Sequence, residues 1–310
     1  MSEQRIISHP NLASFGGGGV SPPRKEQRRA DLFREPLFAA CRRVALGTAW
    51  ALRPRRLHNL LPLPRMWLND VFGRAGGLPD PGAVPADREL AGIAYDLSVP
   101  TLMAAYRRGL FPHGHIGRAK WMLPAMRGVL QLNDFRIPSR LRTIMRRTNY
   151  RVTFDRDFEA VIKACAATRP GKWPLTWITP QIMYTYARLF DEGHAHSFEV
   201  WNAQGELVGG GYGVAVGKVF VIESMFFRET NASKIGFAVL AWHLAQWGFV
   251  LCDNKWMTPT MAQLRFKDVP RAEYSKRLAE LAEGMVKPGR WQAIADTRTI
   301  AAWRPGAATA

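Results

Sequence analysis

The chain has 310 residues, of which 47% are hydrophobic, and it carries 43 Lys and Arg against 25 Asp and Glu, for a formal net charge of +18. This length and hydrophobic content exclude a disordered chain and allow one large domain or two modest ones. The excess of basic residues favours a polyanionic partner, such as RNA, DNA or an anionic lipid surface.

The cysteine content and the apolar runs restrict the location of the protein. Cys41, Cys165 and Cys252 are isolated, which predicts neither a disulfide framework nor a zinc cluster and suits a reducing cytoplasm. The most apolar N-terminal run, 37–52, is interrupted by two arginines and is shorter than the roughly 20 residues that a membrane span needs. It also begins too late for a signal peptide. We therefore expect a cytoplasmic protein without a membrane span.

Residues 1–87 differ from the rest of the chain in being rich in Arg, Pro and Gly, including the run GGGG at 16–19. This composition predicts a basic, partly flexible extension with one amphipathic helix near 31–52. Both a dispensable solvated tail and an additional contact with RNA or a membrane surface are compatible with it.

A basic helix is predicted within the string IPSRLRTIMRRTNYRVTF at 137–154, with Ser139 as its N-cap. Ser98 is the predicted cap of an earlier helix, and two further helices are predicted at 157–168 and 179–192. No acidic residue in the basic string neutralises its arginines, so they form one cationic surface, here named the arginine ridge, unless they are merely a solvated face. The arginine ridge consists of Arg140, Arg142, Arg146, Arg147 and Arg151.

The second half of the chain predicts a sheet. Strands with short links are expected at 196–201, 207–216 and 218–226, which implies an antiparallel meander. A helix follows at 232–248, and then a short apolar strand at 249–253. A strand that returns after a helix is expected beside the third strand and parallel to it, which gives an α+β fold.

Glu223 and Asp253 lie near the carboxyl ends of the two strands that are predicted to be parallel, so we expect both acids at one end of the sheet. Strand alternation places Glu223 on one face with Val219, Val221 and Met225 unless a bulge intervenes. An acid among apolar neighbours needs a hydrogen-bond partner or a cation. Purely structural roles are equally compatible: Glu223 as an acceptor for loop hydrogen bonds, and Asp253 as the cap of the following turn.

Several strings resemble those of the leucyl/phenylalanyl-tRNA protein transferases, and they occur in the family's order over roughly residues 88–278. They are LMAAYRRGLFP (102–112), LTWIT (175–179), EGHAHSFEVW (192–201), LVGGGYGVAVGKVFVIESMF (207–226), NASK (231–234) and VPRAEY (269–274). The resemblance implies an enzyme that moves Leu, Phe or Met from its tRNA to the α-amino group of a protein that begins with Arg or Lys. It implies no cofactor and no metal, and we expect a monomer.

The resemblance also implies the fold: an α+β architecture with a mixed sheet and flanking helices, like that of the N-acetyltransferases, plus a small N-terminal α/β domain. The predicted division is a basic extension at 1–87, the small domain with the basic helix at 88–154, the acyltransferase-like catalytic domain at 155–285 and a C-terminal tail at 286–310.

The chemistry of aminoacyl transfer asks little of the protein. An aminoacyl ester is already activated, so the enzyme mainly aligns an amine and manages one proton, without a nucleophilic Ser or Cys. Matched to the family's motifs, Asp253 would orient the amine and help to remove its proton. Glu223 would hold an amino group at the edge of the pocket or help to fix the tRNA terminus.

The remaining substrate contacts also come from the resemblance. Trp177 and Phe220 would stack on the terminal adenine, and the arginine ridge would meet acceptor-stem phosphates. Ordinary core packing is the alternative for each apolar residue. The donor side chain would enter an apolar pocket lined by Gly211, Met225, Leu240, Leu244 and Cys252.

The sequence departs from the family at two positions of the candidate site. Lys255 stands where the family usually has Gln, and it is expected either to pair with Asp253 and weaken it as a base, or to repel an acceptor that begins with Arg or Lys. His113 follows the FP dipeptide where the family has an aromatic residue. We interpret His113 and His115 as loop histidines rather than metal ligands, because no Cys or carboxylate set accompanies them.

Two rival functions remain open from the sequence. The first is a catalytically silent protein that binds or sequesters tRNA or another RNA. The second is a CoA-dependent N-acyltransferase, which needs a glycine-rich loop at the start of a helix to hold the pyrophosphate. The string NASKIGFA at the predicted helix start offers only Gly236, which disfavours this second reading.

Overall fold

The chain divides into two compact units, Met1–Arg34 and Glu35–Ala310. In the first unit the described element is helix α1, Pro22–Leu32. The glycine run at 16–19 and the end of the predicted C-terminal tail, 304–310, lie outside the described residues. A computed structural model describes residues 22–54, 64, 68, 77–115, 117–168, 174–284 and 287–303.

The second unit contains both helices and strands. Single turns of 3-10 helix lie at Pro81–Ala83 and Leu132–Asp134. Within the described ranges, no helix has the length and apolar character that crossing a membrane requires. The helices are α2 Leu37–Ala51, α3 Val99–Arg107, α4 Ser139–Arg147, α5 Phe158–Ala166, α6 Pro180–Asp191, α7 Ala232–Gln246, α8 Pro259–Gln263, α9 Arg271–Leu281 and α10 Thr297–Ala302.

The strands form one small and one large sheet. They are β1 Leu90–Ile93, β2 Phe111–His113, β3 Lys120–Met122, β4 Met126–Gln131, β5 Arg151–Phe154, β6 Ala195–Trp201, β7 Leu207–Val216, β8 Val219–Phe227, β9 Leu251–Asp253 and β10 Lys267–Pro270. The small sheet has the order β1-β3-β2 and the large one the order β10-β4-β9-β8-β7-β6-β5.

The predicted meander and returning strand are confirmed. Strands β6, β7 and β8 pair antiparallel in succession, and β9 lies parallel to β8 after the crossover through α7. Strand β4 was not predicted, and it pairs antiparallel with β9 on the far side. The fold is therefore a mixed α+β architecture.

Helix α7 forms the centre of the hydrophobic core. Its residues Ile235, Val239 and Leu240 are buried together with Phe198 and Phe220 of the sheet. The helix is apolar on all sides, which is typical of a helix enclosed by other elements. Each large aliphatic side chain buried in this way contributes about 1.5–3 kcal/mol.

Two details of the sequence analysis need correction. Helix α4 begins at Ser139 itself, with Pro138 at the N-cap position, so Ser139 is not the cap. Ser98 does occupy the N-cap of α3, but its hydroxyl bonds to Asp96 and Thr101 and caps no helical N–H group. The domain boundary at 154/155 stays a prediction, and β4 and β5, which precede it, lie in the same sheet as β6 to β9.

Candidate active site

The two predicted acids lie at the same end of neighbouring parallel strands. The β8–β9 register places Val221 opposite Asp253, and Glu223 follows two residues later on β8. Glu223 is 6% exposed and Asp253 is fully buried. The expectation that these strands bring both acids to one end of the sheet is therefore confirmed.

A β-bulge sets the position of Glu223. The β7–β8 register pairs Gly213 with Ile222 but Tyr212 with Ser224, so Glu223 is an extra residue on β8. A bulge bends the strand and redirects its side chains, and such irregularities are frequent next to functional sites. The sequence pattern allowed for a bulge as the exception to regular strand alternation but did not locate it.

Glu223 accepts hydrogen bonds from two helices. Tyr106 on α3 donates to Oε1 at 2.8 Å, and Tyr186 on α6 donates to Oε2 at 2.8 Å. The two hydroxyl oxygens are themselves 2.6 Å apart. Burial first, and then the charge of Glu223, raises the pKa of both tyrosines well above 10.0, so both phenols remain protonated donors.

Asp253 accepts hydrogen bonds from three residues. Arg127 on β4 contacts both carboxylate oxygens through Nε, at 3.0 and 3.1 Å, and Tyr274 on α9 donates to Oδ2 at 2.7 Å. The backbone N–H of Lys255 donates to Oδ1 at 2.7 Å. Burial by itself raises the pKa of Asp253, but the charge of Arg127 and these hydrogen bonds outweigh it and hold the pKa below 3.8.

Lys255 connects the two carboxylates. Its backbone N–H binds Asp253, and its Nζ lies 2.9 Å from Oε2 of Glu223 and donates to the Glu223 carbonyl at 3.2 Å. The predicted pairing of the Lys255 side chain with Asp253 is therefore wrong, because the cation pairs with Glu223. Lys255 has a φ of 65°, a left-handed conformation that is uncommon outside glycine.

The ammonium of Lys255 also lies against aromatic rings. Its Nζ is 5.3 Å from the ring centroid of Phe111 and 5.6 Å from that of Trp177. Lys255 is only 4% exposed, and burial lowers its pKa although the charge of Glu223 opposes this effect. The ion pair and the ring faces stabilise the charged form. Two cations, Arg127 and Lys255, thus balance the two carboxylates.

A partly exposed aromatic rim surrounds this position. His113 stacks on Trp177 with centroids 5.2 Å apart and meets Trp256 edge to face at 5.4 Å. Burial, together with the charges of His115 and Lys255, lowers the pKa of His113 to about 3, so the ring is neutral. His113 ends strand β2, which corrects its assignment to a loop. Among the described residues, no three His, Cys, Asp or Glu side chains cluster in a way that would hold a metal ion.

The predicted donor pocket lies on the other face of the sheet. Strand alternation directs Cys252 and Phe220 towards α7, away from Asp253. Beyond the bulge, Met225 packs on this same face, as the exception allowed for in the predicted strand alternation requires. A Cβ at Gly211 would lie 2.7 Å from Met225 Cγ, which shows that this space is filled. Leu240, Leu244, Cys252 and Phe220 are core residues with at most 1% exposure.

The arginine ridge divides into two groups. Arg142 donates from Nη1 to the carbonyl oxygens of Ala301 at 2.6 Å and Trp303 at 3.0 Å, so it holds the end of α10. The remaining members project into solvent: Arg140, Arg146, Arg147 and Arg151. Four arginines of the ridge are therefore exposed, while Arg142 has a structural role, and the single cationic surface stays a prediction.

Sequence reasoning missed four residues of the site: Arg127, Tyr106, Tyr186 and Tyr274. Tyr106 and Tyr274 stand inside the family-like strings at 102–112 and 269–274, so a signal was present for them. Arg127 and Tyr186 carried no local signal, since their importance arises from contacts with residues distant in the sequence.

Comparisons with known proteins agree with the resemblance. A family model described as leucyl/phenylalanyl-tRNA protein transferase matches residues 129–279. A protein of that name from Thiobacillus denitrificans is 42% identical over 203 residues, which cover 65% of this chain and 88% of that protein. Another from Pseudomonas syringae pv. syringae is 46% identical over 185 residues, covering 59% of this chain and 80% of that protein.

Solved structures show only distant similarity. The structure of L-PGS from Bacillus licheniformis has a TM-score of 0.31 and 13% identity, covering 50% of this chain and 51% of that one. A functionally unknown conserved protein from Staphylococcus epidermidis has a TM-score of 0.31 and 10% identity, covering 58% of this chain and 67% of that one.

Proposed function

Since the chain belongs to the leucyl/phenylalanyl-tRNA protein transferase family, we propose that it transfers Leu or Phe, with Met as a further donor residue, from aminoacyl-tRNA to the N-terminal α-amino group of proteins. The observation that carries the proposal is the connection of Glu223 and Asp253 through Lys255 at the ends of two parallel strands. The reaction needs no cofactor, because the ester bond to the tRNA already activates the carbonyl.

Glu223 is proposed to bind the amino group through its carboxylate. Its Oε2 accepts a hydrogen bond from Tyr186 and pairs with the ammonium of Lys255. Among the described residues, Oε1 accepts a hydrogen bond from Tyr106 alone. A carboxylate oxygen accepts two hydrogen bonds, so Oε1 has one unused position. The Glu223 side chain is fully buried, so an incoming N–H reaches this position only after the covering side chains move. The hydrogen bonds from two neutral tyrosines fix the carboxylate in place, which favours precise alignment of an amine.

Asp253 is the proposed proton acceptor of the site. Its lowered pKa keeps it ionised at neutral pH but also makes it a weak base. An α-amino group has an ordinary pKa of about 7.7–8.0, so part of it is already neutral near pH 7. The main contribution of Asp253 is therefore to orient the reacting groups through Arg127 and Tyr274. Proton removal is a smaller part, and it requires one of the donors now bound to Asp253 to move away.

The donor side chain is proposed to enter the apolar pocket of Gly211, Met225, Leu240, Leu244 and Cys252. Entry requires Met225 to move, and an unbranched thioether adapts its conformation more readily than other apolar side chains. Burial of the donor side chain would then contribute about 1.5–3 kcal/mol.

The tRNA is proposed to bind through its phosphates and its terminal base. The exposed members of the arginine ridge match acceptor-stem phosphates by charge. Trp177 is partly exposed and suits stacking on the terminal adenine. Phe220 lies in the core, so the same role for Phe220 requires a rearrangement.

The finer features of the proposal follow the family resemblance. They are an N-acetyltransferase-like sheet and a monomeric state, whereas the family's expected acceptor, one that begins with Arg or Lys, depends on Lys255. The antiparallel meander β6–β8 followed by the parallel β9 supports the first of these. Lys255 affects which acceptor can bind, because it places a cation beside Glu223.

Label transfer tests the proposal. The purified protein is incubated with radiolabelled leucyl-, phenylalanyl- or methionyl-tRNA and with peptides that differ only in the first residue. We expect transfer of label to peptide, a loss of at least tenfold in Asp253→Asn, and wild-type transfer in Asp268→Asn, an exposed aspartate on β10. Acylation supported by acetyl-CoA alone would contradict the proposal.

A tRNA-binding protein without transferase activity is the second candidate. The observation that favours it is that Arg127 and Lys255 already neutralise both carboxylates. Retention of aminoacyl-tRNA with no transfer to any peptide would support this candidate over the enzyme.

A further inference from the structure

Lys255 fills a site that is built to hold a cation. The site consists of the Glu223 carboxylate, the Glu223 carbonyl oxygen and the ring faces of Phe111 and Trp177. A carboxylate, a carbonyl and two aromatic faces are the groups that recognise an ammonium or guanidinium in a ligand. In this chain the position is taken by the protein's own side chain.

We propose that Lys255 determines the acceptor: its ammonium occupies the cation position at Glu223, so the protein selects N-termini whose first side chain carries no positive charge. The inference rests on the proposed transferase activity and names the acceptor class for the same site. It replaces the family-based expectation of an acceptor that begins with Arg or Lys.

The charge balance of the site supports this selection. Asp253 is bound by Arg127 and Tyr274 and by the N–H of Lys255, so it offers no second position for a cation. An Arg or Lys side chain entering beside Glu223 would meet a fixed like charge in surroundings that screen it poorly. A neutral first residue meets no such repulsion, and its α-amino group can bind the second acceptor position of Oε1 once the side chains that cover Glu223 move.

The position of the Lys255 side chain is fixed from both ends. Its backbone adopts the left-handed conformation and donates to Asp253, and its Nζ makes two contacts with Glu223. An incoming cation would have to displace a buried ion pair, which leaves a buried charge without its partner. The side chain therefore acts as a permanent occupant of the cation position.

The test compares kcat/KM for transfer of labelled Leu to peptides that begin with Ala, Asp, Arg or Lys and are otherwise identical. For the wild-type protein we expect the Ala peptide to be used at least tenfold better than the Arg peptide. Lys255→Gln, which removes the charge but keeps an N–H donor, should lower this ratio at least tenfold. Lys255→Arg should preserve it, and Lys276→Gln, an exposed lysine on α9, should leave it unchanged.

A wild-type preference for the Arg or Lys peptide would overturn the inference, and this result needs no variant to fold. An unchanged ratio in Lys255→Gln would overturn it as well. If neither the wild-type protein nor any variant transferred label to any of the peptides, the transferase activity itself would be refuted, and the acceptor assignment with it.

Discussion

At the scale of single residues, the site depends on Lys255 because one residue contacts both acids. The backbone of Lys255 binds Asp253, and its side chain binds Glu223. Hydrogen-bonded groups in a buried network influence one another, so a change at Lys255 acts on both carboxylates at once. A substitution at Asp253 or Glu223 therefore reaches the other acid through this residue.

A third buried acid, Glu199 on β6, makes the stability of the fold depend on pH. Its carboxylate accepts hydrogen bonds from Ser197 and Thr153, each at 2.6 Å. Burial nevertheless raises its pKa from 4.5 to about 7. Between these two values the folded state binds more protons than the unfolded state, so the free energy of unfolding falls as pH rises from about 4.5 to 7.

Glu199→Gln should remove this pH dependence. At pH 8 we expect the free energy of unfolding of the variant to equal that of the wild type or to exceed it by up to about 3 kcal/mol. On acidification, the free energy of unfolding should rise less in the variant than in the wild type. Urea unfolding at several pH values between 4.5 and 8 measures the difference. Parallel pH profiles for the two proteins would show that Glu199 is ionised in the fold throughout this range.

At the scale of elements, the turn between β7 and β8 fixes where β8 begins and thus where Glu223 lies. Gly217 has a φ of 53°, and a Cβ there would meet the carbonyl oxygen of Leu281 and the backbone of Ala282. Gly205, in the turn between β6 and β7, has a φ of 78° but faces open space. The two glycines share a left-handed backbone and differ in the room beside them.

Gly217→Ala should therefore cost more than Gly205→Ala. Each substitution costs about 1–2 kcal/mol for the left-handed backbone, and Gly217→Ala costs a further 1–3 kcal/mol, approximately, for the collision with α9. Chemical denaturation of both variants measures the difference. Equal destabilisation would show that the end of α9 moves away from the turn without cost.

The elements that could be predicted are those joined by short links. Strands β6, β7 and β8 follow one another, and α7 leads directly to β9, so periodicity and turn residues were sufficient. Strand β4 lies beside β9, and β10 lies beside β4, through pairings between distant parts of the chain, and local patterns carry no such information. Arg127 was missed for this reason, since it lies on β4, 126 residues before Asp253.

The bulge at Glu223, which was left open as an exception, and the left-handed backbone at Lys255 could not be located from the sequence for a different reason. Both are local departures from regular geometry that the surrounding structure stabilises. The family resemblance identified Glu223 and Asp253 as a pair, but only coordinates show that the cation of Lys255 lies with Glu223.

At the scale of the whole molecule, the net charge of +18 predicts tRNA binding that weakens with salt. Replacement of the four exposed members of the arginine ridge by Gln should weaken binding to all tRNAs similarly. The slope of log K against log salt is negative, and it should become less steep by about one unit for each lost phosphate contact. Filter binding between 50 and 200 mM salt, approximately, covers the useful range.

A control with the same change in net charge separates the ridge from the overall charge. Four exposed basic residues on other parts of the chain serve this purpose: Lys218, Arg265, Lys267 and Lys276, each changed to Gln. We expect a smaller loss of affinity in this control. Equal losses in both proteins would mean that the total charge, and not the ridge, attracts the tRNA.

The most direct test of the central claim is the rate of leucyl transfer in a single turnover by Glu223→Gln, measured together with tRNA affinity. We expect the rate to fall at least a hundredfold, which raises the activation free energy by about 2.7 kcal/mol or more, while tRNA affinity stays within about twofold of the wild type. The matched control Glu280→Gln, at an exposed glutamate of α9, should retain the wild-type rate. A wild-type transfer rate in Glu223→Gln would contradict the account.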